Sequence, residues 1–147
     1  MNRADGLDLQ EARLDELLAA LGLTCHTDDD PRVERLAATE PLYPQYHRIG
    51  HKRQTAYRAL AADRALARDH ADAVLAALLC DDDPSSPRWL AAVLLTAIGR
   101  RALQDRLLAA LADGTPHQRE CAANAWRWAD TAPDDPRYLA ALARSGE

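Results

Sequence analysis

The chain has 147 residues, of which 48% are hydrophobic and 28% are charged, a balance typical of one globular domain that needs neither a disulfide nor a metal ion to fold. Its apolar residues are mainly Ala and Leu and it contains no Phe, which favours helices and leaves little material for a sheet. The formal net charge of −5 argues against nucleic-acid binding, because a duplex requires a basic surface.

The cysteines and the N-terminus indicate the compartment. Cys25, Cys80 and Cys121 are odd in number, far apart and outside any CxxC pair, as expected for free thiols in a reducing environment. The stretch from Met1 to Glu16 is polar and acidic, unlike a signal peptide. The longest apolar stretch, residues 89–99, is too short to cross a membrane. The sequence therefore predicts a cytoplasmic protein without a membrane partner.

Two helices and a loop are predicted in the first fifty residues. Asp8 begins a capping-box-like sequence and opens a helix that ends before Gly22. An acidic run that ends at Asp30 precedes Pro31, which is a strong start for a helix to about residue 38. The stretch Pro41–Gly50 contains two prolines, two tyrosines and a glycine. We predict that it is a loop with room for one helical turn.

The rest of the chain is predicted to be a series of helices joined by short turns. The predicted ranges are His51–Ala62, Asp69–Cys80, Pro87–Ile98, Ala102–Ala112, Pro116–Ala129 and Pro136–Arg144. Four helices begin with a cap residue followed by proline, at Asp30-Pro31, Ser86-Pro87, Thr115-Pro116 and Asp135-Pro136. Because proline at the first helical position loses no hydrogen bond, these dipeptides support the predicted starts better than helix propensity alone.

A repeat of 31 residues runs through Arg88–Leu142. The sequence Arg-Trp-Leu-Ala-Ala at 88–92 corresponds to Arg-Glu-Cys-Ala-Ala at 119–123, and Leu-Ala-Ala-Leu at 108–111 returns at 139–142. Two blocks with one common offset are typical of a helical hairpin that has been copied and stacked. We predict one domain, 1–147, with an irregular N-terminal part at 8–62 and regular repeats at 63–147.

An aspartate precedes an arginine by six residues in each unit, and an alanine follows the arginine three residues later. The aspartates are Asp29, Asp82 and Asp113, the arginines Arg35, Arg88 and Arg119, and the alanines Ala38, Ala91 and Ala122. The pattern resembles the HEAT repeat, and an aspartate in the turn can pair with the arginine while alanines let the helices approach. The resemblance implies a right-handed α–α superhelix of about three to four helical hairpins. An irregular helical bundle is the alternative fold.

The segment Tyr43–Arg58 interrupts the repeat and gathers aromatic and basic residues in an acidic protein. Its candidate partner- or ligand-binding residues are Tyr43, Tyr46, His47, Arg48, His51, Arg53 and Arg58. Arginine and tyrosine side chains can hold a carboxylate or a phosphate, and an irregular segment on a regular scaffold often carries function. The alternative is that the basic residues pair with nearby acidic turns and the rings cover the edge of the core.

Metal-ligand patterns are weak. His47 and His51 are four residues apart, but no glutamate separates them in the HExxH manner, Gly50 is expected to interrupt the helix, and the spacing indicates no third ligand. The acidic runs Asp28–Asp30 and Asp81–Asp83 precede helix starts, where aspartates cap free N–H groups, and no EF-hand loop follows them. We therefore predict no metal site and no cofactor.

Two tryptophans near the C-terminus are predicted to point to nearly opposite sides of one helix. Trp126 corresponds to Leu95 through the repeat and Trp128 corresponds to Ala97, so one indole should lie in the core and the other should be partly exposed or covered. An exposed Trp128 would anchor a partner, or a second copy of the chain in a homodimer. Packing beneath the last helix, against Tyr138, is the alternative.

No catalytic motif is visible, since the sequence contains neither a Ser-His-Asp order nor a phosphate-binding glycine loop. The sequence therefore predicts a non-catalytic module that binds another protein or a peptide, with no nucleic-acid partner. The alternative is a small-ligand-binding protein or an enzyme that uses the segment Tyr43–Arg58.

Overall fold

A computed structural model describes residues 1–27 and 29–145 of the chain. Asp28, the first residue of the predicted acidic run, lies outside the described residues. Within that part the protein is all-α, as predicted, with nine helices and no strand: α1 (Arg3–Ala20), α2 (Pro31–Ala37), α3 (Tyr43–Ala62), α4 (Arg64–Asp69), α5 (Ala71–Leu78), α6 (Arg88–Ile98), α7 (Arg100–Asp113), α8 (Pro116–Trp126) and α9 (Pro136–Ser145).

Helix α1 begins six residues before the predicted start and ends where predicted. The side chain of Asn2 accepts a hydrogen bond from the backbone N–H of Asp5 at 2.8 Å, so Asn2, and not Asp8, caps the helix. At the other end Gly22 adopts the left-handed conformation, with φ of 68°, and the N–H of Leu23 reaches the carbonyl of Leu18 at 2.9 Å. This is the Schellman arrangement for which glycine is preferred.

The prediction of a loop at Pro41–Gly50 is wrong, because α3 continues from Tyr43 to Ala62 without a break. Pro44 lies in the first helical turn, where a missing N–H removes no hydrogen bond. Gly50 occupies the middle of the helix, at a cost of about 1 kcal/mol relative to alanine that neighbouring contacts outweigh. The unbroken helix places residues that are four positions apart on one face.

The helix predicted at Asp69–Cys80 is α5, and a further short helix, α4, precedes it. Asp63 accepts a hydrogen bond from the backbone N–H of Leu66 at 3.1 Å and so caps α4. His70 then departs from helical geometry, with φ of −108° and ψ of 18°, and separates the two helices.

Three of the four cap–proline starts are confirmed. Asp30, Thr115 and Asp135 each accept a backbone N–H of the following helix, and Thr115 forms a full capping box with Gln118. Ser86 is the exception, because its hydroxyl donates to Asp81 and α6 begins only at Arg88.

Helix α6 lies at the centre of the domain, in contact with α3, α4, α5 and α7. On one side α1 covers α3 and α5, and on the other side α7 packs against α8 and α9. Ala91 and Ala122, which correspond through the repeat, are both fully buried, as close helix packing requires. The core between these helices is mainly leucine, for example Leu94 and Leu107, both fully buried.

The Asp–Arg pairs predicted in the turns do not form, since none of the three comes within ion-pair distance among the described residues. Asp113 instead pairs with Arg144 of α9 at 3.3 Å, and Arg119 donates to the backbone carbonyl of Ser145 at 3.3 Å. Helix α9 lies across this end of the domain and provides the partners of Asp113 and Arg119.

Candidate functional site

Arg48 and Lys52 lie one turn apart on the face of α3 that packs against α1. Arg48 donates through two nitrogens to the two carboxylate oxygens of Glu11, at 3.0 Å each. Lys52 Nζ lies 3.0 Å from Glu11 and 2.6 Å from Asp15. The hydrogen bond from Arg48, with help from Lys52, lowers the pKa of Glu11 to about 2. Both cations therefore hold α3 on α1, and the ligand-binding role of Arg48 stays a prediction.

Arg53 is buried, and its Nε lies 3.5 Å from Oδ2 of Asp81, whose side chain is 3% exposed. The Ser86 hydroxyl donates to the same carboxylate at 2.7 Å, and the backbone N–H of Asp83 donates at 3.1 Å. Burial raises the pKa of Asp81 although Arg53 opposes the rise. Arg53 therefore fixes the turn before α6 against α3, and its role as a ligand-binding residue stays a prediction.

The two histidines of the segment converge. His47 Nε2 and His51 Nε2 are 3.1 Å apart, and both rings line a cavity of about 390 Å³ together with His26 and Arg58. Nearby, the Thr55 hydroxyl donates to Cys25 Sγ at 3.4 Å and holds the coil after α1 against α3. Across the described residues, no three His, Cys, Asp or Glu side chains have their donor atoms gathered for one metal ion.

The tyrosines of the segment lie near the start of α3. The ring of Tyr43 is 6.2 Å from that of Tyr46 and 6.0 Å from that of His47, measured between centroids. Tyr46 is exposed and lines a separate cavity of about 250 Å³ that also contains Arg53. The predicted site residues of Tyr43–Arg58 thus share α3 but lie in different surroundings.

The two tryptophans lie in different environments, one buried and one partly exposed, as their spacing predicts. Trp126 is buried and stacks on Tyr138, with ring centroids 5.2 Å apart. Trp128 is half-buried, and its indole N–H donates to the backbone carbonyl of Pro84 at 3.1 Å. Trp128 therefore ties the helix end to the turn before α6, and its role as a partner anchor stays a prediction.

A larger cavity lies elsewhere, between α1, α5 and the start of α8. This α1–α5–α8 cavity has a volume of about 570 Å³ and opens to solvent. Its walls are mainly apolar and include Leu9 of α1, Leu75, Ala76 and Leu79 at α5, and Pro116 of α8. Sequence periodicity marks these residues only as apolar helix positions, so no local signal distinguishes a cavity wall from the core.

The rim of this cavity carries few polar groups, and most have partners within the chain. Arg13 pairs with Glu16 at 3.0 Å, and Asp72 pairs with Arg106 of α7. His117 lies at the α8 end, with Nε2 3.6 Å from the buried thiol of Cys121. The arrangement presents apolar surface surrounded by both signs of charge.

The thiols near the cavity are poor nucleophiles. Burial raises the pKa of Cys80, which lines the cavity, and Cys121 behind it has a strongly raised pKa for the same first reason. A thiol that stays protonated at neutral pH is neither a nucleophile nor a ready metal ligand. The cysteines therefore provide no catalytic centre here.

Comparisons with protein-family models, with curated proteins and with solved structures found no match. Every helix within residues 1–27 and 29–145 is too short or too polar to cross a membrane. The functional argument therefore depends on the geometry of this chain alone.

Proposed function

We propose that this protein is a non-catalytic module that binds an apolar segment of another protein or peptide in the α1–α5–α8 cavity. The observation that carries the proposal is the cavity itself, about 570 Å³ with mainly apolar walls. Ligand-binding clefts occupy about 300–1,000 Å³ and combine apolar walls with a few polar groups at the rim.

A peptide segment fits this cavity better than an enclosed small molecule. The cavity opens to solvent, so a chain can cross its mouth and insert one or two large side chains. Leu75 and Leu79 are four residues apart and form one apolar stripe, the kind of surface that receives the apolar face of a helix. The paired charges Arg13–Glu16 and Asp72–Arg106 at the rim suit the polar flanks of such a segment.

The proposal of a non-catalytic module is supported by the partners and the pKa values of the basic side chains and the thiols. Arg48, Lys52 and Arg53 pair with carboxylates of the same chain, and the thiols Cys80 and Cys121 have raised pKa values. A general base, a nucleophile and an oxyanion-binding group do not come together around the cavity, as an acyl-transfer site would require.

We further propose that α6 to α9 are two HEAT-like hairpins that serve as the scaffold. The common offset of 31 residues supports this, together with the burial of Ala91 and Ala122 and the packing of α7 against α9. The turn aspartates do not pair with arginine, so the proposed likeness depends on helix order and on small residues at the contacts. An irregular bundle remains the competing description.

The test compares a filled cavity with an open one. Ala76→Phe places a ring in the cavity, because Ala76 is half-buried in its wall, whereas Ala102→Phe adds the same ring to an exposed position of α7. Peptides selected from a displayed library against the wild-type protein are synthesised, and their affinities are measured by fluorescence anisotropy. Loss of one buried anchor should weaken binding at least about tenfold in Ala76→Phe, with no change in Ala102→Phe.

Two outcomes would reject the proposed function. Peptides that bind both variants as tightly as wild type would place the contact elsewhere. A selection that yields no binding peptide, while a small apolar dye binds wild type and not Ala76→Phe, would identify the cavity as a small-molecule site.

A second candidate is small-ligand binding on α3, which one observation favours. Splayed histidines without a neighbouring cavity would have removed this candidate, yet His47 and His51 are in contact and Tyr46 lines a cavity. Arg48, Lys52 and Arg53 are already paired with carboxylates, so the chemistry left for this candidate is that of the imidazoles and of Arg58, which lines the same cavity.

A further inference from the structure

The cavity beside Tyr46 lies between α1, α3 and the turn before α6, and we name it the α1–turn cavity. Arg3, Leu7 and Gln10 line it from successive turns on one face of α1. Asp81–Asp83 line it from the turn. Its volume of about 250 Å³ is that of about eight water molecules at about 30 Å³ each, so it suits a small polar molecule and not a peptide.

Gln10 is the side chain in this cavity that indicates a ligand. It is 4% exposed and lines the cavity, yet its amide has no hydrogen-bond partner among the described residues. Buried amides almost always have a partner. The amide offers two N–H donors and an acceptor oxygen, so the molecule that occupies the cavity must supply the partner.

Unpaired charges of both signs line the same cavity. Arg53 and Asp81 pair with each other and compensate their charges. Arg3 and Asp82 make no ion pair within the described part of the chain, although both line the cavity. The Asp82 carboxylate lies close to α1, since a Cβ added to Gly6, one turn after Arg3, would be 3.6 Å from its Oδ2. A positive and a negative group are therefore both available to one small ligand.

We propose that the α1–turn cavity binds a free α-amino acid, with its carboxylate held by Arg3 and by the amide of Gln10, and its ammonium group held by Asp82. A guanidinium and an amide N–H both donate to a carboxylate, and a carboxylate accepts from an ammonium group. A ligand with charge of one sign would satisfy one of these groups and be repelled by the other. The pair of Arg53 and Asp81 stays intact in this arrangement.

This site is separate from the peptide site proposed above. The described residues that line the α1–turn cavity include none that line the α1–α5–α8 cavity. Amino-acid binding therefore does not depend on the proposed function.

The experiment screens the standard free L-amino acids for a rise in the unfolding temperature of the full chain, because a ligand that binds only the folded state raises it. The amino acid with the largest effect is titrated by isothermal titration calorimetry. Its amide, which lacks the carboxylate, and its N-acetyl form, which lacks the ammonium group, are titrated in parallel. We expect one site per chain and at least about tenfold weaker binding of either blocked form, because each loses a charge-assisted hydrogen bond.

The variants are Arg3→Gln, Gln10→Leu and Asp82→Asn, and each should weaken binding at least about tenfold. Arg101→Gln is the matched control, because Arg101 is an exposed arginine of α7 outside the cavity wall, and it should bind like wild type. Gln10→Leu keeps the side-chain size and removes an amide without a partner, so the fold should be retained.

Four outcomes would overturn the proposal. If no amino acid raises the unfolding temperature or binds in calorimetry, the cavity holds water only. Equal binding of the free amino acid and both blocked forms would reject recognition of two charges. Binding of D-glucose in place of amino acids would assign the cavity to a neutral polyol. Variants that all bind like wild type would place the site elsewhere. Ala76→Phe, which fills the α1–α5–α8 cavity, should bind the amino acid normally, so the two proposals can fail separately.

Discussion

Replacing Arg53 with methionine tests whether the buried ion pair holds α3 to the turn before α6. The substitution keeps most of the side-chain volume and leaves the Asp81 carboxylate, 3% exposed, without its cation. Removing one partner of a buried pair costs about 3–5 kcal/mol. Asp81 retains the hydrogen bonds from Ser86 and from the backbone of Asp83, and the 3.5 Å separation of the pair is long. We therefore expect a loss near the low end, about 3 kcal/mol.

The assay is urea unfolding followed by circular dichroism at about pH 7.5, with Arg48→Met as the matched control. Arg48 lies on the same helix but is 45% exposed, and Lys52 still pairs with Glu11 in its absence. Exposed ion pairs contribute about 0–1 kcal/mol, so the control should lose less than about 1 kcal/mol.

The stability lost in Arg53→Met should depend on pH, and the direction of this dependence follows from the pKa of Asp81. Burial raises the pKa of Asp81 in the folded protein, and removing Arg53 should raise it further. The folded state then keeps a proton that the unfolded chain releases, so the free energy of unfolding falls as pH rises through the folded pKa. The loss in Arg53→Met should be smaller at about pH 5, where the carboxyl is closer to neutral.

Two results would refute this reasoning. A loss below about 1 kcal/mol would mean that water or another group replaces Arg53. A loss that does not depend on pH would assign the effect to packing. Conversely, adding Asp81→Leu to Arg53→Met removes both charges, and the double variant should be more stable than the single one.

Three other predictions follow from the geometry. Glu11→Gln should lower the free energy of unfolding by about 1–2 kcal/mol at neutral pH, a value discounted for the exposure of Arg48. The folded pKa of Glu11 near 2 adds stability above pH 4.5, and this stability is lost as pH falls towards 2. Unfolding measured at neutral pH and near pH 2 checks this. Gly99→Ala should lower stability by about 1 kcal/mol in thermal unfolding, because Gly99 has a φ of 88°. Alkylation followed by mass spectrometry should label half-buried Cys25 well before the buried Cys80 and Cys121; equal rates would contradict the burial.

Local signals in the sequence predicted most helix ends. The capping box at Thr115, the acid–proline start at Asp30 and the stop at Gly22 act within three or four residues, so the sequence contains all that they require. The prediction of a loop at Pro41–Gly50 was wrong because proline and glycine occur in helices as well as in loops. Pro44 breaks a helix interior but suits a first turn, and the packing of α3 against α1, which local sequence does not reveal, decides between them.

The candidate sites depend on contacts between distant residues, which explains why the sequence located the segment but not its chemistry. Arg48 meets Glu11 across 37 positions of sequence, and His26 reaches the cavity of His47 and His51 from another element. The α1–α5–α8 cavity arises where three helices diverge, and each contributes residues that are ordinary core positions by periodicity. The spacing of His47 and His51 would put them on one face only of a continuous helix, and the predicted interruption at Gly50 argued against that.

Charge compensation decides which residues of Tyr43–Arg58 remain available. A basic cluster in an acidic protein first indicates an anion site, yet three of its cations already face carboxylates from α1 or from the turn before α6. A ligand carboxylate or phosphate would have to break these pairs, and for Arg53 that means leaving Asp81 buried and uncompensated, at a cost of about 3–5 kcal/mol. The imidazoles of His47 and His51 are not held by a carboxylate in this way, because their polar contact is with each other. Ligand binding on α3 would therefore depend on His47, His51 and Arg58, which line one cavity.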